Sequence, residues 1–225
     1  MIFQAHWFSP AVFIAAWLIL AVLLALCAKP AFKAFAAHRS AVTLAVVILT
    51  TAWLLNAAPD DGQLAGMSYH LLAMNLTALM LGAPAALWLG ALLLFPYVWL
   101  FGGGLSVYPV NALALLPPPL AVNIVFRRLV NLLPANLFIF IFVNGFIGSA
   151  VSILFTGLVL VSVLDWAAAF PSQALWSTAL PVFILIAWAE AFLSGITTAI
   201  FVALRPQWLN TFDDNRYLKP ANKIW

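Results

Sequence analysis

Charge is nearly absent from long stretches of this chain, and that feature decides what it can fold into. Only 7% of the 225 residues are Asp, Glu, Lys or Arg, while 66% are hydrophobic. A soluble domain carries about 25% charged residues. A chain this poor in charge cannot cover a globular surface with polar groups, so its surface belongs in lipid. Apolar runs fall at about 8–28, 41–58, 66–82, 84–101, 108–126, 136–164 and 178–204, and a spanning helix needs about 20 such residues. The expected fold is an all-α integral membrane protein of about seven transmembrane helices. One transmembrane domain covers 1–204, and a cytoplasmic tail covers 205–225.

Turn and break residues separate the runs. Lys29-Pro30 ends the first and Pro59-Asp60-Asp61-Gly62 the second, Gly82-Ala83-Pro84 turns the third into the fourth, and Gly102-Gly103-Gly104 opens a loop. No basic residue precedes the first run, so it reads as a retained span rather than a secretory signal. The single Cys27 allows no intrachain disulfide and reads as a small apolar filler.

Charge also orients the chain. If the runs alternate sides, Lys29, Lys33, Arg39, Arg127, Arg128, Arg205, Arg216, Lys219 and Lys223 share one side, and Asp60, Asp61 and Asp165 take the other. Basic loops stay in the cytoplasm, which puts the N-terminus outside and the C-terminus inside. The net charge of +3 is too small to suggest nucleic acid. The expected location is a membrane whose basic side faces the cytoplasm.

Polar residues inside hydrocarbon are costly and mark function. Glu190, near the middle of the last run, is the only acidic residue deep in any run and has no Lys or Arg to pair with. It must be protonated, hydrogen-bonded, facing water or bound to a cation; Ser194 and Thr197 share its helix face by spacing. His70 falls one turn inside the third run, where helical spacing puts Met67, Met74 and Thr77 on its face. Asn111 opens the fifth run. Pro117-Pro118-Pro119 then breaks that helix, because proline lacks an amide donor and clashes with the preceding turn. His6 lies on the external N-terminal segment. His6, His70, Asn111 and Glu190 all belong to the outer half, and two imidazoles, an amide and a carboxylate around one cavity suit a divalent late transition metal. Other chemistries find no footing: there is no His-Glu-x-x-His, no Gly-x-Ser-x-Gly, no P-loop and no deep His pair for haem. An enzyme is not expected.

At these residues the sequence resembles the CbiM-type substrate-capture component of cobalt/nickel energy-coupling-factor (ECF) ABC transporters. His70, in Ser68-Tyr69-His70-Leu71, falls where that family has a metal-binding His opening the third span. Asn111, in Val110-Asn111-Ala112, falls at a Gly-x-Asn-like motif, and Glu190 at a last-span Glu. Leu133-Pro134-Ala135-Asn136, Glu190-Ala191-Phe192-Leu193-Ser194-Gly195 and the tail Arg205-Pro206-Gln207-Trp208 with Thr211-Phe212-Asp213-Asp214-Asn215-Arg216-Tyr217-Leu218 are similar to a proteobacterial branch described as a predicted permease. The family holds its metal with the N-terminal segment, including a His directly after the initiator Met. Here position 2 is Ile, and the residue before Asn111 is not Gly.

The resemblance implies a membrane protein that captures Ni²⁺ or Co²⁺ from outside. His70 and His6 would be ligands, and Asn111, Glu190, Thr77, Met74 and Ser194 would be further ligands or their supports. No cofactor is expected to be covalently bound; the metal is the transported ligand. The implied partners are a membrane coupling subunit and cytoplasmic ATPases, besides the lipid bilayer. Two other functions stay open: a carrier of a small organic solute, such as a vitamin precursor, with Glu190 as proton-coupled group, and a non-transporting assembly or scaffold protein.

Overall fold

The structure is a computed structural model, and it describes residues 2–55, 69–101 and 104–217. Pro59, Asp60, Asp61, Gly62, Met67, Ser68, Gly102, Gly103, Leu218, Lys219 and Lys223, all used above, lie outside the described residues. Among the described residues every regular element is helical.

Each apolar run holds a helix: α1 (Pro10–Ala37), α2 (Arg39–Leu54), α3 (Met74–Leu81), α4 (Ala83–Phe101), α5 (Tyr108–Leu115) with α6 (Pro117–Leu132), α7 (Leu137–Trp166) and α8 (Ser172–Leu204). A short tail helix, α9, spans Asp214–Tyr217. By length and composition, five helical segments are long and apolar enough to cross a membrane: α1, α4, the α5–α6 pair, α7 and α8. α2 is apolar but has 16 residues, and α3 has only 8. The expected seven full spans are therefore five long helices, one shorter helix and one helix fragment among the described residues.

The expected breaks have local causes. Gly82 takes φ 87 between α3 and α4, a left-handed conformation that glycine adopts at little cost. Three successive prolines cannot donate to the carbonyls four residues back, and the helix divides at Leu116, directly before Pro117. The third run differs most from expectation. Its helix begins only at Met74, and residues 69–73 are irregular backbone, so His70 does not share a helix face with Met74 and Thr77.

α3 is the axis of the bundle. All eight of its residues are buried, and it packs against α2, α4, α6, α7 and α8. α1 lies at the periphery on α4 and α5, with only 11% of its apolar window buried, against 67% for the α5–α6 pair. Its outward face, with Ile14, Leu18 and Leu26 exposed, belongs in lipid. Small residues permit the closest helix approaches, as expected where packing rather than hydrophobicity drives association. A Cβ at Gly157 of α7 would come within 2.3 Å of the Phe183 ring of α8.

Candidate functional site

Irregular backbone and rare polar side chains coincide at the approach to α3. Ala73, the residue before the helix, is held at φ 53, ψ 13, a left-handed conformation that costs a non-glycine residue on the order of 1–3 kcal/mol. Glu190, 3% exposed on α8, holds it there. Its Oε2 accepts from the Leu72 N–H at 2.9 Å and its Oε1 from the Ala73 N–H at 2.7 Å. A carboxylate at a helix N-terminus meets unpaired N–H groups and the positive end of the dipole. The carbonyls are satisfied as well. The Trp53 indole N–H of α2 donates to Leu72 O at 3.0 Å, and the Thr77 hydroxyl donates to Ala73 O at 2.9 Å. Non-helical backbone at membrane depth is tolerated only where protein meets its polar groups in this way.

His70 lies at the start of this clamped segment and is 4% exposed. Its Nδ1 is 2.9 Å from the Leu71 carbonyl oxygen. A carbonyl can only accept, so Nδ1 carries the proton, and in the neutral ring Nε2 keeps a lone pair. Nε2 is buried and has no hydrogen-bond partner among the described residues. Trp53 and Tyr97 wall the ring, with centroids 6.4 and 5.6 Å away, and lie 5.9 Å from each other. An imidazole whose tautomer is set by a carbonyl at one nitrogen, with its other nitrogen unpaired, is arranged as a metal ligand is.

Asn111 holds the start of the chain. Its Oδ1 accepts from the Phe3 N–H at 2.7 Å, and its Nδ2 donates to Phe3 O at 3.4 Å and to Val107 O at 3.1 Å. The amide thus pairs with both backbone groups of Phe3, whose side chain is 2% exposed. The N-terminal segment is docked into the bundle and not free.

The remaining predicted residues divide. Thr77 supports the clamp. Ser194 is buried, and with Glu190 and Thr197 it lines a largely apolar cavity of about 350 Å³ between α2 and α8; the spacing argument for that face holds. Met74 is a packing residue whose sulfur lies against Gly90 of α4. His6 is exposed in a short turn over Ala5–Trp7, with its ring 5.4 Å from Trp7. Among the described residues no three His, Cys, Asp or Glu side chains converge. Trp53, Tyr97 and the Phe3 backbone are the participants that the sequence did not reveal. Aromatic residues in an apolar run read as interfacial, and backbone groups leave no residue signature.

A family model described as the cobalt uptake substrate-specific transmembrane region matches residues 3–208. Two crystal structures share the fold. A truncated transition metal transporter is 20% identical, with a TM-score of 0.66, covering 90% of this chain and 99% of that one. A transition metal transporter is also 20% identical, with a TM-score of 0.67, covering 91% of this chain and 93% of that one. No curated protein matches the sequence.

Proposed function

The chain belongs to the CbiM family of cobalt uptake substrate-specific transmembrane regions, and on that footing we propose that it is the substrate-capture component of an ECF ABC transporter taking up Ni²⁺ or Co²⁺. The observation that carries this reading is the buried, unpaired Nε2 of His70. The lone pair is walled by two aromatic rings, and imidazole suits borderline-soft divalent ions. The two proteins whose crystal structures share this fold are transition metal transporters, which agrees with a metal cargo.

His70 binds the ion through Nε2. Glu190, Trp53 and Thr77 position the 71–73 backbone beside it, and Asn111 fastens the N-terminal segment at Phe3. With Ile at position 2, that segment offers backbone donors, and His6 joins only if the turn over Ala5–Trp7 rearranges. Imidazole and neutral donors favour nickel or cobalt over the hard ions magnesium and calcium, which take carboxylate oxygens.

The proposed site faces outside in a bacterial inner membrane, with the C-terminal tail in the cytoplasm. Inward release uses a membrane coupling subunit and ATPases. Ala11, Ala15, Ala21 and Ala25 of α1 are exposed rather than packed within the bundle, which leaves a small-residue face for that subunit.

X-ray absorption on Ni²⁺-loaded protein tests the ligand assignment. Imidazole scattering is expected in the wild type and absent in His70→Ala; a nickel shell without imidazole would remove this reading. A second reading rests on the cavity beside Glu190, which is large enough for a small organic solute. Solute uptake indifferent to chelators would favour it.

A further inference from the structure

A second polar cluster, separate from His70, lies in the bundle core where α3, α6 and α7 meet. Its hub is Asn75 of α3, 1% exposed. Asn75 Nδ2 donates to Asn144 O at 2.9 Å and to Ser149 Oγ at 2.8 Å, both on α7. Asn75 Oδ1 accepts from Asn123 Nδ2 of α6 at 2.8 Å, and the same Nδ2 lies 3.5 Å from Asn75 O. Both N–H groups of Asn75 and both of Asn123 are thereby spent within the cluster. Asn123 and Asn144 are 1% and 3% exposed, and the Oδ1 of each is buried without a partner among the described residues. Oxygen lone pairs are in excess. In a low-dielectric interior such atoms are costly unless something electropositive meets them.

The backbone is also irregular here. Asn144 sits in a π-helical stretch, Phe140–Ile147, a form that concentrates at functional sites. Gly148 lets the α7 backbone come close to the hub: a Cβ there would lie 3.2 Å from Val143 O and 3.5 Å from Asn75 Nδ2.

We infer that the Asn123 and Asn144 side-chain oxygens, with the Ser149 hydroxyl, form a binding site for a monovalent cation of the sodium class. Every oxygen here is neutral, and neutral amide and hydroxyl oxygens suit a hard cation. Among the described residues the one acidic side chain deep in the bundle, Glu190, is committed to the Leu72 and Ala73 N–H groups. A divalent ion in such a core would keep an uncompensated double charge, at a much higher desolvation cost, so the transported metal is not the occupant. Interrupted helices with free oxygen ligands are how membrane carriers hold sodium.

The test is thermal unfolding of the purified, chelator-stripped full chain in NaCl, KCl, LiCl and choline chloride at fixed ionic strength. A saturable, sodium-preferring rise of several degrees is expected. It should vanish in Asn123→Ala and in Asn144→Ala and persist in His70→Ala, which separates it from the metal reading. Equal unfolding temperatures in all four salts would overturn the site and leave a buried water satisfying both oxygens. A sodium effect that survives both Asn substitutions would overturn it too. Should those variants not fold, equilibrium ²²Na⁺ binding to the wild type decides: one ion per chain supports the site, and none refutes it.

Discussion

Removing the Glu190 carboxylate leaves the Leu72 and Ala73 N–H groups without acceptors in a buried place. Each unsatisfied donor costs about 1–3 kcal/mol. Glu190→Ala should therefore lower the unfolding temperature in detergent, and metal affinity with it, because the backbone beside His70 loses its tether. Glu190→Gln keeps one acceptor but turns an amide N–H₂ toward the other donor, so it should fall between alanine and wild type. A Gln variant as stable as wild type would mean that the carboxylate does not act as a clamp. Asn111→Ala should release Phe3 and speed metal dissociation more than it slows association, as stopped-flow kinetics would show. His70 and Glu190 were legible because such residues are rare in apolar runs. What Glu190 touches was not, since its partners are two backbone amides more than a hundred residues away.

α3 shows how an apolar run can mislead about its own helix. Hydrophobicity over 66–82 reads as one span, yet the helix starts at Met74, because a distant carboxylate and a left-handed Ala73 give the chain a non-helical way to satisfy its amides. The other end of α3 is held by the same C-terminal part of the chain. The Asn210 N–H donates to Met80 O at 2.9 Å, the Thr211 hydroxyl to Leu79 O at 2.8 Å and Asn210 Nδ2 to Leu81 O at 3.4 Å. Truncation after residue 208 should uncap α3 and weaken metal binding at its opposite end, measurable by titration beside thermal unfolding. The α7–α8 crossing was likewise not legible. Gly157→Ala should destabilise by about 1–3 kcal/mol, the usual cost of overpacking, because the added methyl meets the base of the Phe183 ring and not a flexible tip. The breaks at Gly82 and Pro117 were legible, since glycine and proline act through their own backbone chemistry.

Across the whole molecule, composition alone established a helical membrane protein, because no soluble surface can be built from so few charges. Which helices would be peripheral was hidden: α1 is as apolar as any, and only the fold exposes its alanines. Replacing Ala21 and Ala25, both exposed, with Phe should leave folding and metal binding of the isolated protein unchanged. Under the proposed function, cellular uptake should be lost in the same variant, because the obstructed face is the one proposed for the coupling subunit. Uptake of ⁶³Ni²⁺ by cells supplied with coupling and ATPase subunits reads that difference.

The most direct test of metal capture is calorimetric titration of the purified, chelator-stripped protein with Ni²⁺ and Co²⁺, wild type beside His70→Ala. One ion per wild-type chain is predicted, with saturable heat, and none in His70→Ala at unchanged unfolding temperature. Saturable binding that survives His70→Ala, or no saturable binding in the wild type, would contradict it.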